Sequence, residues 1–275
     1  MVMHELSKIL SDLGEDVYLT ITNTKLPENN SKVITQDEAM QIAGDDDCIT
    51  IYPEIITGNP LNGKHVVRWV LYYPGHIGGT TAYSDDEFVF TYLKKYVQNT
   101  VYANSPMLSI FQSRANQFYD MNSERPHDAI LLKKGQHYDF NQMKIKYLDP
   151  YSILLNRKTY NFDSVIHSVS GFEEMNQALN TIRYFISFDN TTYYNVLAAL
   201  AGCVSIVVPM HNMNAEQWRE NNYFSKYGIA YGFDDLYWAF KTQHKVKEHV
   251  LDIERDNINQ AKNLIQLTKE KWNIA

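Results

Sequence analysis

Basic charge, cysteine and long apolar runs are all scarce in this chain of 275 residues. Lys and Arg number 25 against 32 Asp and Glu, a formal net charge of −7. No run of Lys/Arg with interleaved aromatics relieves that deficit. A nucleic-acid binder needs a basic footprint to displace counterions, so no nucleic-acid partner is expected. Cys48 and Cys203 are the only cysteines and form no CxxC or zinc-type spacing. They fit a reducing cytoplasm, with both thiols buried as small apolar groups. The longest apolar run, residues 197–210, is broken by Gly202 and Pro209 and is too short to span a bilayer. No basic leader precedes an apolar stretch at the start, so no signal peptide is expected. GxSxG, Walker, GxGxxG and HExxH patterns are absent as well, which lowers the hydrolase, ATPase and dehydrogenase readings.

What the chain has in quantity is aromatic: 20 Tyr and 12 Phe, far too many for a disordered polypeptide. Val2, Met3, Leu6, Ile9, Leu10 and Leu13 recur at helical spacing, and Gly14 stops the helix. Residues 17–22 then read as a strand, and 36–42 as a short helix. Residues 48–56 (CITIYPEII), 66–73 (VVRWVLYY), 88–93 and 107–111 read as further strands bounded by turn residues. The polar stretch 116–128 reads as a linker. Beyond it, strands at 129–132, 164–168, 184–188 and 204–208 alternate with helices at 171–182 and 191–201, the pattern of a parallel sheet. The chain from Ala215 onward reads as mostly helical.

Two features of the second half could bind an anion. The turn Ser187-Phe188-Asp189-Asn190-Thr191-Thr192 lies where a strand ends and a helix begins. In an open α/β sheet that edge binds ligands, and a diphosphate gains from helix N–H groups and Ser/Thr hydroxyls. The plain alternative, and the commoner arrangement, is that Asp189, Asn190 or Thr191 simply caps the helix. Lys133-Lys134-Gly135 follows the strand AILL and could neutralise a leaving diphosphate without metal; a surface lysine pair is the alternative. Asp45-Asp46-Asp47 precedes a strand rather than following one and reads as an acidic loop, not as a metal-binding DxD. Asp234-Asp235 reads as a helix cap.

The order of strand with Lys-Gly, helix, strand, polar turn, helix ending Ala-Leu-Ala-Gly, and apolar strand ending in Pro resembles the nucleotide-sugar domain of GT-B-fold glycosyltransferases. Tyr52-Pro53-Glu54, Gly58-Asn59-Pro60, Val67-Arg68-Trp69 and Tyr73-Pro74-Gly75 look like segments of bacterial polysaccharide glycosyltransferases. The resemblance implies an α/β protein of two Rossmann-like domains facing a cleft, the first starting one strand late. An acceptor domain would occupy 1–120 and a nucleotide-sugar domain 128–255, with a helix at 256–275 crossing back to the first. It implies metal-independent transfer from a nucleotide-diphosphate sugar to a glycan or lipid-linked acceptor, with no cofactor, in the cytoplasm or at the inner membrane. Lys133, Lys134, Ser187, Asp189, Thr191 and Thr192 would hold the donor. His76, in a Gly-rich loop after a strand, or Glu54, at a strand end, would serve as acid or base, and Arg68 as a structural ion-pair partner. The helix at 191–201 has Leu197 and Ala198 where many such enzymes carry a Glu. That departure leaves a second expectation open: a binding or assembly protein that keeps the fold without the chemistry.

Overall fold

In the computed structural model, residues 2–20, 32–133, 155, 157–209 and 213–274 are described. The chain divides into two compact units, one of Met1–Gln112 with Glu254–Ala275 and one of Ser113–Ile253. Both are α/β with parallel strands.

The first unit opens with helix α1 (Val2–Asp12), whose apolar stripe buries Leu6, Ile9 and Leu10. Strands β1 (Tyr18–Thr20) and β2 (Lys32–Ile34) pair in parallel. Helix α2 (Gln36–Ile42) starts at a reciprocal capping box between Thr35 and Glu38. Strands β3 (Ile49–Pro53), β4 (His65–Val70) and β5 (Phe88–Thr91) form a parallel sheet in chain order. Residues 107–111, expected as a strand, contribute a single parallel bridge, Thr91 to Met107. Strand alternation sorts the side chains. Ile49, Ile51, Val67, Trp69, Phe88 and Phe90 join a core with α1 and with the C-terminal helix Asn257–Trp272 through Ala261 and Leu264. Val70 and Val89 turn to the other face, under Tyr83, Tyr96 and Tyr102. The Asn257 amide locks that helix to Phe111, accepting from its N–H at 2.8 Å and donating to its carbonyl at 2.7 Å.

The second unit is a five-stranded parallel sheet built from β6 (His127–Leu131), β7 (Lys158–Asn161), β8 (Ile182–Ser187), β9 (Val204–Val207) and β10 (Ile229–Tyr231). Its spatial order is β10-β9-β8-β6-β7. The winding therefore reverses between β6 and β8, as in a doubly wound α/β domain. Helices α3 (Phe162–Ser168), α4 (Phe172–Asn180) and α5 (Tyr194–Leu200) bury Phe162, Met175, Leu179, Leu197 and Ala198 against Ala129, Leu131 and Phe185. Ile186, Phe188, Ile206 and Ala230 line a second core. There they meet Phe233 and Ala239, from the segment after β10. That segment comprises α7 (Leu236–Thr242), which follows α6 (Ala215–Asn221) and precedes α8 (Val246–Arg255).

Two expectations are corrected here. Residues 164–168 are helix, not strand: Phe162, Val165, Ile166 and Val169 recur at helical spacing on the core side, and Asn161 caps the helix through Asp163 N–H at 3.0 Å. The region from Ala215 is mostly helical, as expected, with the short strand β10 within it. The presumed linker is firmly bound. Phe118 is buried, the Asn176 side chain accepts from Tyr119 N–H at 3.1 Å, and the Asn180 side chain accepts from Met121 N–H at 2.7 Å. Arg125 donates to the carbonyls of Ile182 at 2.9 Å and Ala201 at 2.7 Å. Polarity in this stretch serves hydrogen bonds to a helix end, which local composition imitates as a linker.

Gly202 shows what closes α5. Its φ of +86° is left-handed, Gly202 N–H reaches Ala199 O at 3.0 Å and Cys203 N–H reaches Ala198 O at 2.9 Å, a Schellman closure. A Cβ there would also collide with the Asp120 carboxylate and the Arg125 guanidinium. Gly202→Ala is expected to cost about 2 kcal/mol or more, read as a lower urea midpoint at unchanged m-value; an unaltered midpoint would contradict this account.

Candidate functional site

The carboxyl edge of the second unit is where its winding reverses. Leu131 pairs with Ser187, and Phe188 N–H donates to Leu131 O at 2.8 Å, so β6 and β8 end level with one another. The loops that follow, at Lys133 and at residues 188–193, therefore leave adjacent strand ends. The Lys133 ammonium lies 4.2 Å from the centre of the Tyr194 ring, the first residue of α5. Lys133 itself has a left-handed backbone, φ +36°. Leu132 and Lys133 present successive N–H groups, and the Asp163 carboxylate takes both, at 2.8 and 2.9 Å. That pair of donors is thus already engaged by an internal anion. Lys134 lies outside the described residues.

Across the edge, Ser187 is fully buried, and its hydroxyl closes on Asp189, donating to the carbonyl at 2.8 Å and accepting from the N–H at 3.2 Å. Ser187 thus shapes the turn from behind. Asp189 is also buried; its Oδ1 accepts from Thr191 N–H at 3.1 Å and from the Thr191 hydroxyl at 3.0 Å. Thr191 is exposed and Thr192 buried. The capping alternative is not met: α5 has Tyr193 at its cap position with no side-chain capping bond, and Asp189 orders the preceding turn instead.

Asn195 was not singled out from sequence. It is wholly buried in the first turn of α5, its Nδ2 donates to Asp189 O at 3.4 Å, and its Oδ1 has no hydrogen-bond donor. A polar residue inside an otherwise apolar helix segment (YNVLAAL) was the available signal. Leu197 and Ala198 are core residues. Burial raises the Tyr194 hydroxyl above its ordinary range. At the far end of the sheet, Asp235 stands at the N-cap position of α7 but makes no side-chain capping bond. Its carboxylate accepts from Tyr231 N–H at 2.9 Å and pairs with Arg219, both stronger uses of its charge than an exposed helix end.

In the first unit, Glu54 is buried just past β3, and its Oε2 accepts from Leu71 N–H, the first beyond β4, at 2.9 Å. His76 is exposed, with its ring 5.2 Å edge-on from Tyr72. Both expected acid/base candidates therefore gather around residues 71–72. Gly79, with φ +77°, packs so closely on the Glu54 carbonyl that a Cβ would collide with it. Tyr72, Tyr73 and Tyr96 cluster at 5.0 to 5.3 Å between ring centres. Beside them is a cavity of about 300 Å³, walled by Tyr73, Pro74 and Tyr96 and offering Lys95, Gln98 and Asn99 as polar groups. Rings joined to amide and ammonium donors form a surface suited to a polyhydroxylated ligand.

Arg68 is wholly buried and holds the ground beneath this edge. It grips the Glu87 carboxylate twice, at 2.8 and 3.1 Å, and donates to Ile56 O at 2.6 Å and Gly58 O at 2.8 Å. Its guanidinium lies 5.1 and 5.2 Å from the Tyr52 and Tyr83 ring centres. The expected ion pair is present, with Glu87 as the partner. Asp46, in the acidic loop, pairs with Lys64. Among the described residues, no group of three or more His, Cys, Asp or Glu is arranged to hold a metal ion, and no helix is long and apolar enough to cross a membrane.

Arg68→Met is expected to lower stability by about 3–5 kcal/mol, because Glu87 is left buried and unpaired; chemical denaturation measures it, and Glu87→Gln in the same background should recover part of the loss. Burial pushes the Tyr83 and Tyr223 hydroxyls from 10.0 to about 12 and the Cys203 thiol from 9.0 to about 12. The folded protein keeps these protons where the unfolded chain sheds them. Their contribution to stability is whole below pH 9.0 and declines as pH rises towards about 12. Phenolate absorbance should show Tyr83 and Tyr223 ionising together with alkaline unfolding; normal titration before unfolding would refute their burial. The chain matches no protein-family model, and no curated protein is significantly similar to it.

Proposed function

We propose that the second unit binds a nucleotide-diphosphate sugar at the reversal point of its sheet and that the chain is a metal-independent glycosyltransferase of GT-B-like organisation. The observation that carries this reading is the sheet order β10-β9-β8-β6-β7. Its reversal brings the Lys133 loop and the Asp189–Thr192 turn to one edge, the position at which open α/β sheets take ligands. Lys133 would counter the diphosphate charge, while Thr191 and Thr192 would offer hydroxyls. Lys134 is assigned the same role from sequence. Buried Asn195 adds an amide whose acceptor oxygen lacks a partner. The rings and amides beside Tyr73 and Tyr96 support an acceptor of glycan type in the first unit, with His76 or Glu54 as the acid/base. Catalysis would rest on positioning and on stabilising the leaving diphosphate.

One observation favours a second reading, a nucleotide-sugar binder without transfer. Helix α5 carries no carboxylate, and core side chains fill the positions where one is expected.

Thermal unfolding with a panel of nucleoside diphosphates and their sugars tests binding, because a ligand of the native state raises the midpoint. At least one should raise it, and Lys133→Ala should weaken that ligand by about tenfold. Thr192→Ala should weaken it less. No response to any nucleotide would overturn both readings; full affinity in both variants would discard this edge. Sugar transfer or donor hydrolysis by a binding-competent protein then separates enzyme from binder.

A further inference from the structure

Exposed aromatic rings gather on one face of the second unit. On α7, Tyr237 is 74% and Phe240 59% exposed, while Ala239 and Thr242 are buried. Tyr237, Phe240, Lys241 and His244 follow one another at helical spacing, all exposed, while Val246, beginning α8, turns inward. An outward helical stripe in a globular protein is ordinarily charged; this one is half aromatic. The fold adds a second segment from before β10. Tyr227 stacks on Trp238 with ring centres 6.4 Å apart and planes at 18°. The Trp238 indole N–H donates to Lys226 O at 3.1 Å.

Lysines flank these rings. Lys226 and Lys245 lie 5.4 and 5.5 Å from the Tyr227 ring centre, and Lys241 lies 5.7 Å from that of Tyr237. Residues 226–247 contain four lysines and only two acids, Asp234 and Asp235, the latter paired with Arg219, in a chain whose net charge is −7. The patch is thus locally basic on an acidic protein. Lys226-Tyr227 and the stripe from Tyr237 to Lys245 are brought together by the fold.

We infer that this face docks on an anionic lipid bilayer, with Tyr237 and Phe240 entering the headgroup layer and Lys226, Lys241 and Lys245 meeting lipid phosphates. Tyr237 and Phe240 stand exposed on a helix surface, which suits a planar partner. Tyr and Trp are the rings that settle at the water–hydrocarbon boundary, and lysines spread around them draw a negative surface. The overall negative charge would repel the same membrane, so attachment depends on this face being presented. The inference stands independently of the nucleotide reading.

Co-sedimentation of the full chain with vesicles tests it, comparing phosphatidylcholine alone with equal parts phosphatidylcholine and phosphatidylglycerol. Binding is expected to the mixed vesicles only and to fall with added salt. Lys241→Ala and Lys245→Ala should each weaken it about fivefold. Tyr237→Ala with Phe240→Ala should weaken it while leaving the salt dependence in place. These side chains are exposed, so the variants should fold, and their nucleotide response should equal that of the parent. No binding to mixed vesicles, equal binding to both compositions, or full binding by all variants would overturn the proposal. Vesicle binding without any nucleotide response would leave this inference standing and remove the other.

Discussion

A strand that stops at the carboxyl edge of a parallel sheet leaves its next backbone N–H groups without a neighbouring strand, and in this chain carboxylates repeatedly take them up. Glu54 accepts from Leu71 past β4, Asp163 from Leu132 and Lys133 past β6, and Asp235 from Tyr231 at the end of β10. Asp189 does the same for Thr191 in the turn after β8. Water cannot serve these donors where the chain is packed, and a charged acceptor makes the stronger bond. Each carboxylate also fixes where the following loop goes, so the positions of Lys133, Thr191 and residues 71–76 all descend from these bonds.

The same bonds set the charge of the edges. A phosphate would ordinarily be drawn to successive N–H groups such as those of Leu132 and Lys133. Asp163 holds them already, and Asp189 stands buried on the opposite side of the β6–β8 reversal. In the first unit, the equivalent tension is resolved internally. Arg68 spends its donors on Glu87, Ile56 and Gly58, and Tyr52 and Tyr83 cover its faces. Arg68, with Tyr52, Ile56, Gly58, Tyr83 and Glu87 around it, is therefore framework. The exposed groups of that unit lie at its rim, at His76 and the Tyr73–Tyr96 cavity.

How far the fold could be read from the sequence depended on how local each determinant is. The α1 stripe, the Thr35–Glu38 box and the alternation Ile49-Thr50-Ile51-Tyr52 are complete within a few residues, and those elements were legible. Ser164-Val165-Ile166 imitates a strand over so short a span; its helical identity needs Phe162 and Val169 as well. The site was less legible because its partners are distant. Asp163 serves N–H groups 30 and 31 residues away, and Asn180 serves Met121 59 residues away. The edge position of the Ser187–Thr192 turn followed from local pattern, but the inward closure of the Ser187 hydroxyl did not.

Among the described residues, few groups at the reversal point could attract an anion. Helix α5 has seven residues, fewer than two full turns, so its aligned peptide dipoles sum to only a weak positive end. Two carboxylates stand close by, each engaged with backbone N–H groups. Among the described residues at this edge, the Lys133 ammonium rests on the Tyr194 ring, and Asp163 holds its left-handed backbone. The carboxylate that occupies the backbone donors thus also positions the cation that would replace them. On the proposed reading, a ligand's charge at this edge would be met by a side chain, while shape and hydrogen bonding to Thr191, Thr192 and Asn195 would set which ligand fits.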